Sequence, residues 1–471
     1  MRRRTVLAIT GLVGVVTVAG VGWGAHSVLV DPVSAVSPTP SATVIAAAAG
    51  DRLVTPTATP TPTATKRTTP AALRTCSIAA AARDPRLAHF QGRVVNARTG
   101  ETLFDRKGST ASRTASVLKV LTTAAALHVL GPDHRLTTKV VKGSKPGQVV
   151  LVGGGDVTLS RTPAGSRTAY AGAAHLSTLA HQVKQAWAKD PANRGVPIRQ
   201  VVLDSSYFGG PSWQPSWNTK ERVDGYMPKI TALMVDGDRD NAYVPVSHRS
   251  TDPIGRAGTA FAHYFGSAVT TTRGTAPSGA KLLGAVHSQP VSTLVKQTLI
   301  VSDNTIAEAL ARVTAIVSGA GNRFSSEQAG TVGGLQTYGV DTSQLRVVDG
   351  SGLSDDNAVP PKYLTALFIK VLHRSGALGA LYDGLPISGR TGSLSYSDRF
   401  QGAASRADGA VHAKTGWIDT GHTLSGIIRA KDGTPLTFAF YALGNVTDSA
   451  KTALDALTAD AWSCGRRLSN H

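Results

Sequence analysis

The sequence predicts an α+β fold in which an antiparallel sheet flanked by helices is interrupted by a large insertion. Three observations carry this. Residues 92–104 have apolar ends around Arg98-Thr99-Gly100 and read as a β-hairpin. From Ser116 onward, Val117, Leu118, Val120, Leu121, Ala124, Ala125 and Leu127 run almost all round a helical wheel and stop before Gly131-Pro132, the pattern of a buried helix. Near the C-terminus, strand-like segments at 410–413, 423–428 and 436–441 precede a helix that includes Leu454 and Leu457. The hairpin and the C-terminal strands are expected to form one sheet with helices on both faces.

The N-terminus reads as an address. Arg2-Arg3-Arg4 precede an uncharged run from Thr5 to about Val30, an export segment with its basic end in the cytoplasm. It is either a signal peptide or a single-pass membrane anchor; its length favours the anchor, and Ala19 and Ala25 are indifferent cleavage positions. Residues 31–75 are rich in Pro, Thr, Ala and Ser, cannot bury a core and form a spacer. The folded part is therefore expected outside the cytoplasm, in the cell envelope or secreted. There Cys76 and Cys464, the only cysteines, would pair, the alternative being two unrelated buried thiols. No Cys-x-x-Cys or ligand cluster suggests a metal, and no cofactor is expected.

The 471 residues are 41% hydrophobic and 17% charged, ordinary for a globular protein with a large core. The net charge of +19 would suit a polyanion, but Lys and Arg are scattered and no basic helix or aromatic-interleaved reader stands out. Nucleic acid is not an expected partner. Attraction to an anionic surface such as a cell envelope is.

Ser116 and Lys119 stand at i and i+3 of the buried helix, on one face and close enough to share a proton. Ser302 stands 186 positions after Ser116, a domain's worth of chain later. This interval contains strands at 149–152 and 198–203, a helix with Leu176, Leu179, Val183 and Trp187, a Gly153-Gly154-Gly155-Asp156 turn and a loop at 209–213. The glycine run lacks the spacing of a phosphate cradle. The expected division is a main domain of 76–136 with 288–471, and an insertion of 137–287.

Ser302-Asp303-Asn304 follows a helix through Leu294, Leu299 and Ile300 and precedes another with Ile306, Ala309 and Val313. Alone, Ser and Asn at such a junction would read as caps. Lys414-Thr415-Gly416 ends the strand begun at 410. Short patterns of this kind recur by chance, as Ser278 with Lys281 and Ser216 with Asn218 demonstrate; order, spacing and local structure give the three their weight.

Helix-borne Ser-x-x-Lys, loop Ser-Asp-Asn and strand Lys-Thr-Gly in this order resemble the penicillin-recognising serine D,D-peptidases and serine β-lactamases. The long interval before Ser302 narrows the resemblance to the class C low-molecular-mass penicillin-binding proteins, the D-alanyl-D-alanine carboxypeptidase/endopeptidase type (DacB-like, peptidase S13). Further matching stretches are Gly153-Gly154-Gly155-Asp156, 208–213, Tyr226-Met227-Pro228, Ala307-Glu308, the run 349–354 with Asn357, and His412-Ala413 before Lys414.

The resemblance implies a penicillin-binding-protein transpeptidase-like domain, peptidoglycan stem peptides ending in D-Ala-D-Ala as substrate and β-lactam antibiotics as covalent inhibitors. Ser116 would be the nucleophile and Lys119, held neutral by burial and a neighbouring cation, its base. Ser302 would bridge proton traffic between Lys119 and the departing amine, Asn304 would hold the substrate amide, and Lys414, Thr415 and Gly416 would form the carboxylate-binding strand. The backbone N–H groups of Ser116 and Trp417 would make the oxyanion hole. Trp417 departs from the small hydroxyl residue frequent after this glycine, so its side chain is expected to reshape the pocket. Asp349, Ser351, Gly153 and Asp156 are expected to be structural, and His412 a packed strand residue. Rival readings are a β-lactamase or esterase on the same scaffold and a catalytically silent wall-binding protein. A class A β-lactamase uses a Glu-held water, and the only Glu between Lys119 and Ser302 is Glu221, in no matching context. No Gly-x-Ser-x-Gly elbow supports a Ser-His-Asp triad.

Overall fold

The computed structural model describes residues 74–470; the expected leader and nearly all of the spacer lie outside them. Among the described residues no single helix is long and apolar enough to cross a membrane.

Strand β1 (His89–Asn96) turns back into β2 (Thr102–Arg106). The turn closes with Gly100 N–H on the Asn96 carbonyl at 2.8 Å, and Gly100 takes φ +75°, where glycine avoids strain. Arg93 pairs with Asp105 directly opposite it. A 3-10 turn (Ala115–Leu118) leads into α1 (Lys119–Val129), of which every side chain from Lys119 to Leu127 is buried.

The next elements are β3 (Thr137–Lys142), β4 (Gln148–Val152), α2 (Leu176–Lys189), β5 (Gln200–Asp204), α3 (Pro253–Ala262), β6 (Thr270–Arg273) and β7 (Leu282–His287). They build a second sheet in the order β6-β5-β4-β3-β7. Strands β4, β5 and β6 pair in parallel, whereas β3 is antiparallel to both its neighbours. Parallel neighbours need crossovers, and α2 and α3 supply them. Leu176, Leu179, Val183 and Phe261 of these helices cover Val149, Leu151, Val201 and Leu203. The same segment also sends Trp217, Met227 and Met234 into the helical core described next.

That core is made by α1 with α4 (Val291–Ile300), α5 (Asn304–Val317), α6 (Glu327–Gln336) and α7 (Pro361–Leu372). Strands β8 (Val411–Ile418), β9 (Gly421–Arg429) and β10 (Pro435–Leu443) then form an antiparallel meander, and α8 (Ser449–Cys464) closes the chain. The hairpin lies along β10: Ala88 bridges Leu443, and Ala97 N–H donates to the Pro435 carbonyl at 2.9 Å. Alternate residues of β10 explain why it reads as an apolar run. Phe438, Phe440 and Ala442 join Leu454 and Leu457 of α8, while Ala439, Tyr441 and Leu443 join the helices on the other face.

Cys76 and Cys464, 388 positions apart in sequence, form a disulfide with Cα atoms 5.4 Å apart, beside a short parallel pairing of Cys76–Ser77 with Leu468–Ser469. Such a link removes chain entropy from the unfolded state. Cys76→Ser should lower the unfolding free energy by roughly 2–5 kcal/mol. Denaturant titration with and without reductant checks this: reduction should bring the parent chain down to the variant's midpoint and leave the variant's midpoint where it was.

Candidate active site

Ser116 stands in the 3-10 turn that opens α1, one residue after Ala115, whose φ of +46° marks a sharp entry. Strand β8 runs directly beneath. A Cβ on Gly416 would lie 2.2 Å from Thr423 Oγ1 and 2.6 Å from the Thr114 carbonyl, so only glycine lets the Lys-Thr-Gly strand pass this close to the serine turn. Thr423 Oγ1 donates to that carbonyl at 2.6 Å and fixes the turn from β9.

Lys119 lies one turn on, wholly buried beneath the serine. Its Nζ reaches Ser116 Oγ at 2.7 Å, Asn304 Oδ1 at 2.6 Å and the Ser351 carbonyl at 2.7 Å, using all three donor positions of an ammonium. Burial pulls its pKa down to about 8 against the opposing pull of Asp349, Glu308, Asp303 and Glu221. Lys414 is buried as fully, and its Nζ donates to Ser302 Oγ at 2.8 Å and to the Thr415 carbonyl at 2.7 Å. Burial, then the charges of Lys119 and Arg399, hold Lys414 well below the usual lysine range. Like-charge repulsion between Lys119 and Lys414 is mutual and disfavours charging either amine.

The Ser302–Asn304 triplet sits between α4 and α5. Asp303 is the cap, its Oδ1 accepting from Ile306 N–H at 2.8 Å, which leaves the two flanking side chains for other work. Ser302 takes φ +62° and accepts from Lys414, so it stands on the Lys414 side of the site. Asn304 is the neighbour of Lys119, and its Nδ2 also donates to the Tyr226 carbonyl at 3.3 Å. Thr415 Oγ1 lies 2.9 Å from Ser393 Oγ. Trp417 is 52% exposed, with its ring against His422, the residue opposite it in register.

Ser116, Ser302, Asn304, Thr415, Gly416 and Trp417 all line one cavity of about 780 Å³. Its other wall, from the 137–287 segment, includes Glu221 and Tyr226. Of the chance patterns, Ser216 reaches this wall but spends its hydroxyl on Ser354 at 2.8 Å, and Lys281 pairs with Asp190 on an exposed strand edge.

Sequence reasoning assigned no chemistry to the 349–354 run, yet it supplies the third acceptor of Lys119. Asp349 gathers Gly352 N–H and Ser354 N–H at 2.7 Å, Asn357 Nδ2 at 2.9 Å and Trp217 Nε1 at 2.7 Å, tying the loop into a knot. Glu308 Oε1 accepts Ser351 N–H at 2.7 Å, which aims the Ser351 carbonyl at Lys119. His412 is a half-buried strand residue stacked on Tyr382. A serine hydroxyl in contact with a buried amine of lowered pKa, open to a cavity with a second buried amine behind another hydroxyl, is equipped for acyl transfer.

The chain matches the D-Ala-D-Ala carboxypeptidase 3 (S13) family over residues 74–253 and 238–462. It is 37% identical to Carboxypeptidase DacB of Mycolicibacterium smegmatis over 465 residues, 96% of this chain and 95% of that protein. It is 35% identical to Carboxypeptidase Rv3627c of Mycobacterium tuberculosis, covering 86% of this chain and 87% of that one. The fold is similar to penicillin binding protein 4 (dacB) from Haemophilus influenzae, with TM-score 0.66 and 18% identity over 81% of this chain and 97% of that one. Sequence likeness across nearly the whole length joins the Ser116, Ser302 and Lys414 geometry in one assignment: this chain is a member of the D-Ala-D-Ala carboxypeptidase 3 (S13) family.

Proposed function

We propose that the chain is a serine D,D-carboxypeptidase that removes the terminal D-alanine from peptidoglycan stem peptides through an acyl-enzyme on Ser116, and that β-lactams acylate the same hydroxyl. The 2.7 Å contact between Ser116 Oγ and the buried Lys119 Nζ carries the reading. Lys119 takes the hydroxyl proton as Oγ bonds to the scissile carbonyl carbon, and the backbone N–H groups of Ser116 and Trp417 receive the oxyanion. As the C–N bond breaks, Ser302 hands its proton to the leaving amine and regains one from the Lys414 ammonium, whose Nζ donates to its Oγ at 2.8 Å. Attack by water reverses the traffic: Lys119 returns its proton to Ser116, and the water's proton passes through Ser302 to Lys414. Asn304 orients the peptide, and Lys414, Thr415 and Gly416 form the carboxylate strand. Cleavage of cross-linked stem peptides, a D,D-endopeptidase activity, would use the same steps.

The substrate lies outside the cytoplasm, and attachment through residues 1–30 belongs to the same proposal. One observation favours a second reading. Glu221 stands on the cavity wall, and burial, with Asp419 and Asp224, raises its pKa to about 7, as a water-activating carboxylate on a β-lactamase would require. Incubating the full chain in turn with a stem peptide ending in D-Ala-D-Ala and with penicillin separates the two. D-alanine release with a slowly lost penicilloyl label is expected; rapid penicillin turnover with no D-alanine released would overturn the peptidase reading.

A further inference from the structure

Ser302 occupies the left-handed region, which a side-chain-bearing residue holds only when its flanks are fixed. Asp303 is the flank. Its N–H donates to the Thr298 carbonyl at 3.0 Å and its Oδ1 caps α5, leaving Oδ2. Arg239 Nη2 takes that oxygen at 3.2 Å, across a contact whose two side chains are only 3% and 8% exposed. We propose that Arg239, from the 137–287 segment, is a positioning residue: by gripping Asp303 it sets the Ser302 hydroxyl against Lys414 and the Asn304 amide against Lys119. This rests on the role given to Ser302 above.

The segment is built to deliver that guanidinium. Asp236, Gly237 and Asp238 take φ +52°, +58° and +59°, three left-handed residues in succession. A Cβ on Gly237 would lie 2.5 Å from Tyr170 Oη and 2.6 Å from Arg239 Nη1, so a side chain there would push the guanidinium from its seat. Each acidic residue of the bend is fastened: Asp236 accepts from Ser160 Oγ at 2.6 Å and Arg161 Nη1 at 3.1 Å, and Asp238 from Ser250 Oγ at 2.9 Å. The buried Arg249 donates to the Gly237 carbonyl. Arg239 itself donates through Nε to the Pro245 carbonyl at 2.9 Å and through Nη1 to the Asp236 carbonyl at 3.0 Å, with its face 4.5 Å from the Tyr170 ring centre. A planar fork held through Nε, Nη1 and one face leaves Nη2 to point at Asp303.

A buried ion pair is a poor device for stability alone, because desolvation offsets most of its attraction. Its use here is geometric. Two further contacts act on the same loops from the same segment: the Tyr226 carbonyl holds Asn304, and Trp217 Nε1 holds Asp349 behind the Ser351 carbonyl.

The test uses the full chain carrying Arg239→Lys, Arg239→Gln, Ser302→Ala, and Arg239→Gln with Ser302→Ala. Arg256→Gln, which loosens the same bend at Asp238 and Asp240, serves as comparator. Acylation by benzylpenicillin, kcat and KM for D-alanine release, and melting temperature are measured. Both Arg239 variants should lose about 100-fold in acylation and in kcat, with KM changed by less than about threefold. The double variant should lose clearly less than the two single losses multiplied together, since Arg239 acts in part through Ser302. Additive losses, or an Arg256→Gln loss equal to that of Arg239→Lys, would overturn the positioning role while leaving Ser116 acylation intact; a parent chain that is never acylated would overturn the functional reading instead. Should Arg239→Gln not fold, Asp303→Asn keeps the capping oxygen, removes the ion pair and must show the same non-additivity.

Discussion

Replacing Ser116 with alanine is expected to lower D-alanine release by about a million-fold and to abolish β-lactam labelling, with the melting temperature nearly unchanged. The loss is large because the substitution removes the atom that forms the covalent bond, and the remaining oxyanion and binding contacts supply only the residual rate. The fold should tolerate it. Ser116 is only half-buried, and Lys119 keeps its bonds to Asn304 and the Ser351 carbonyl when the hydroxyl goes. Substrate turnover and gel fluorescence after labelling with a fluorescent penicillin check both halves.

Lys119→Met should be the second largest effect, about ten-thousand-fold in acylation, the upper range for loss of a positioned general base. Methionine fills nearly the same space but leaves Asn304 Oδ1 and the Ser351 carbonyl without their donor, so some stability is lost as well. The parent enzyme's pH profile follows from the same amine. Burial lowers the pKa of Lys119 to about 8, and only the neutral amine can take the serine proton. Acylation should therefore fall as pH drops below about 8, because protonation removes the base, and flatten above it. Rates measured from pH 6 to 10 should show this acid limb in the parent and not in Lys119→Met. The amine's contribution to stability runs the other way from that of a paired lysine: its folded pKa lies below the unfolded one, so a penalty is present below pH 8 and is relieved as pH rises toward 10.5.

The sheet and the site were legible in the sequence to different depths. Spacing alone put Ser116 and Lys119 together, since i and i+3 on a helix share a face whatever surrounds them. The apolar run of β10 could be read because burial on both faces leaves a continuous hydrophobic signal. The parallel order of β4, β5 and β6 could not, because strand periodicity says nothing of partner direction. Nor could the Ser351 carbonyl, a backbone acceptor that any residue would supply, or the left-handed turn at Ser302, which uses no glycine. The Arg239 to Asp303 contact joins residues 64 apart and leaves no local trace. Burial lowers both Lys119 and Lys414, and the repulsion between the two amines disfavours charging either.

The central claim is a covalent acyl-enzyme on Ser116. Mapping the adduct tests it most directly: the full chain is reacted with benzylpenicillin, quenched, digested and sequenced by tandem mass spectrometry. A single penicilloyl group on Ser116, absent when Ser116→Ala is treated alike, is the predicted result. An adduct on Ser302 or any other serine, or no adduct from a folded chain, would contradict it.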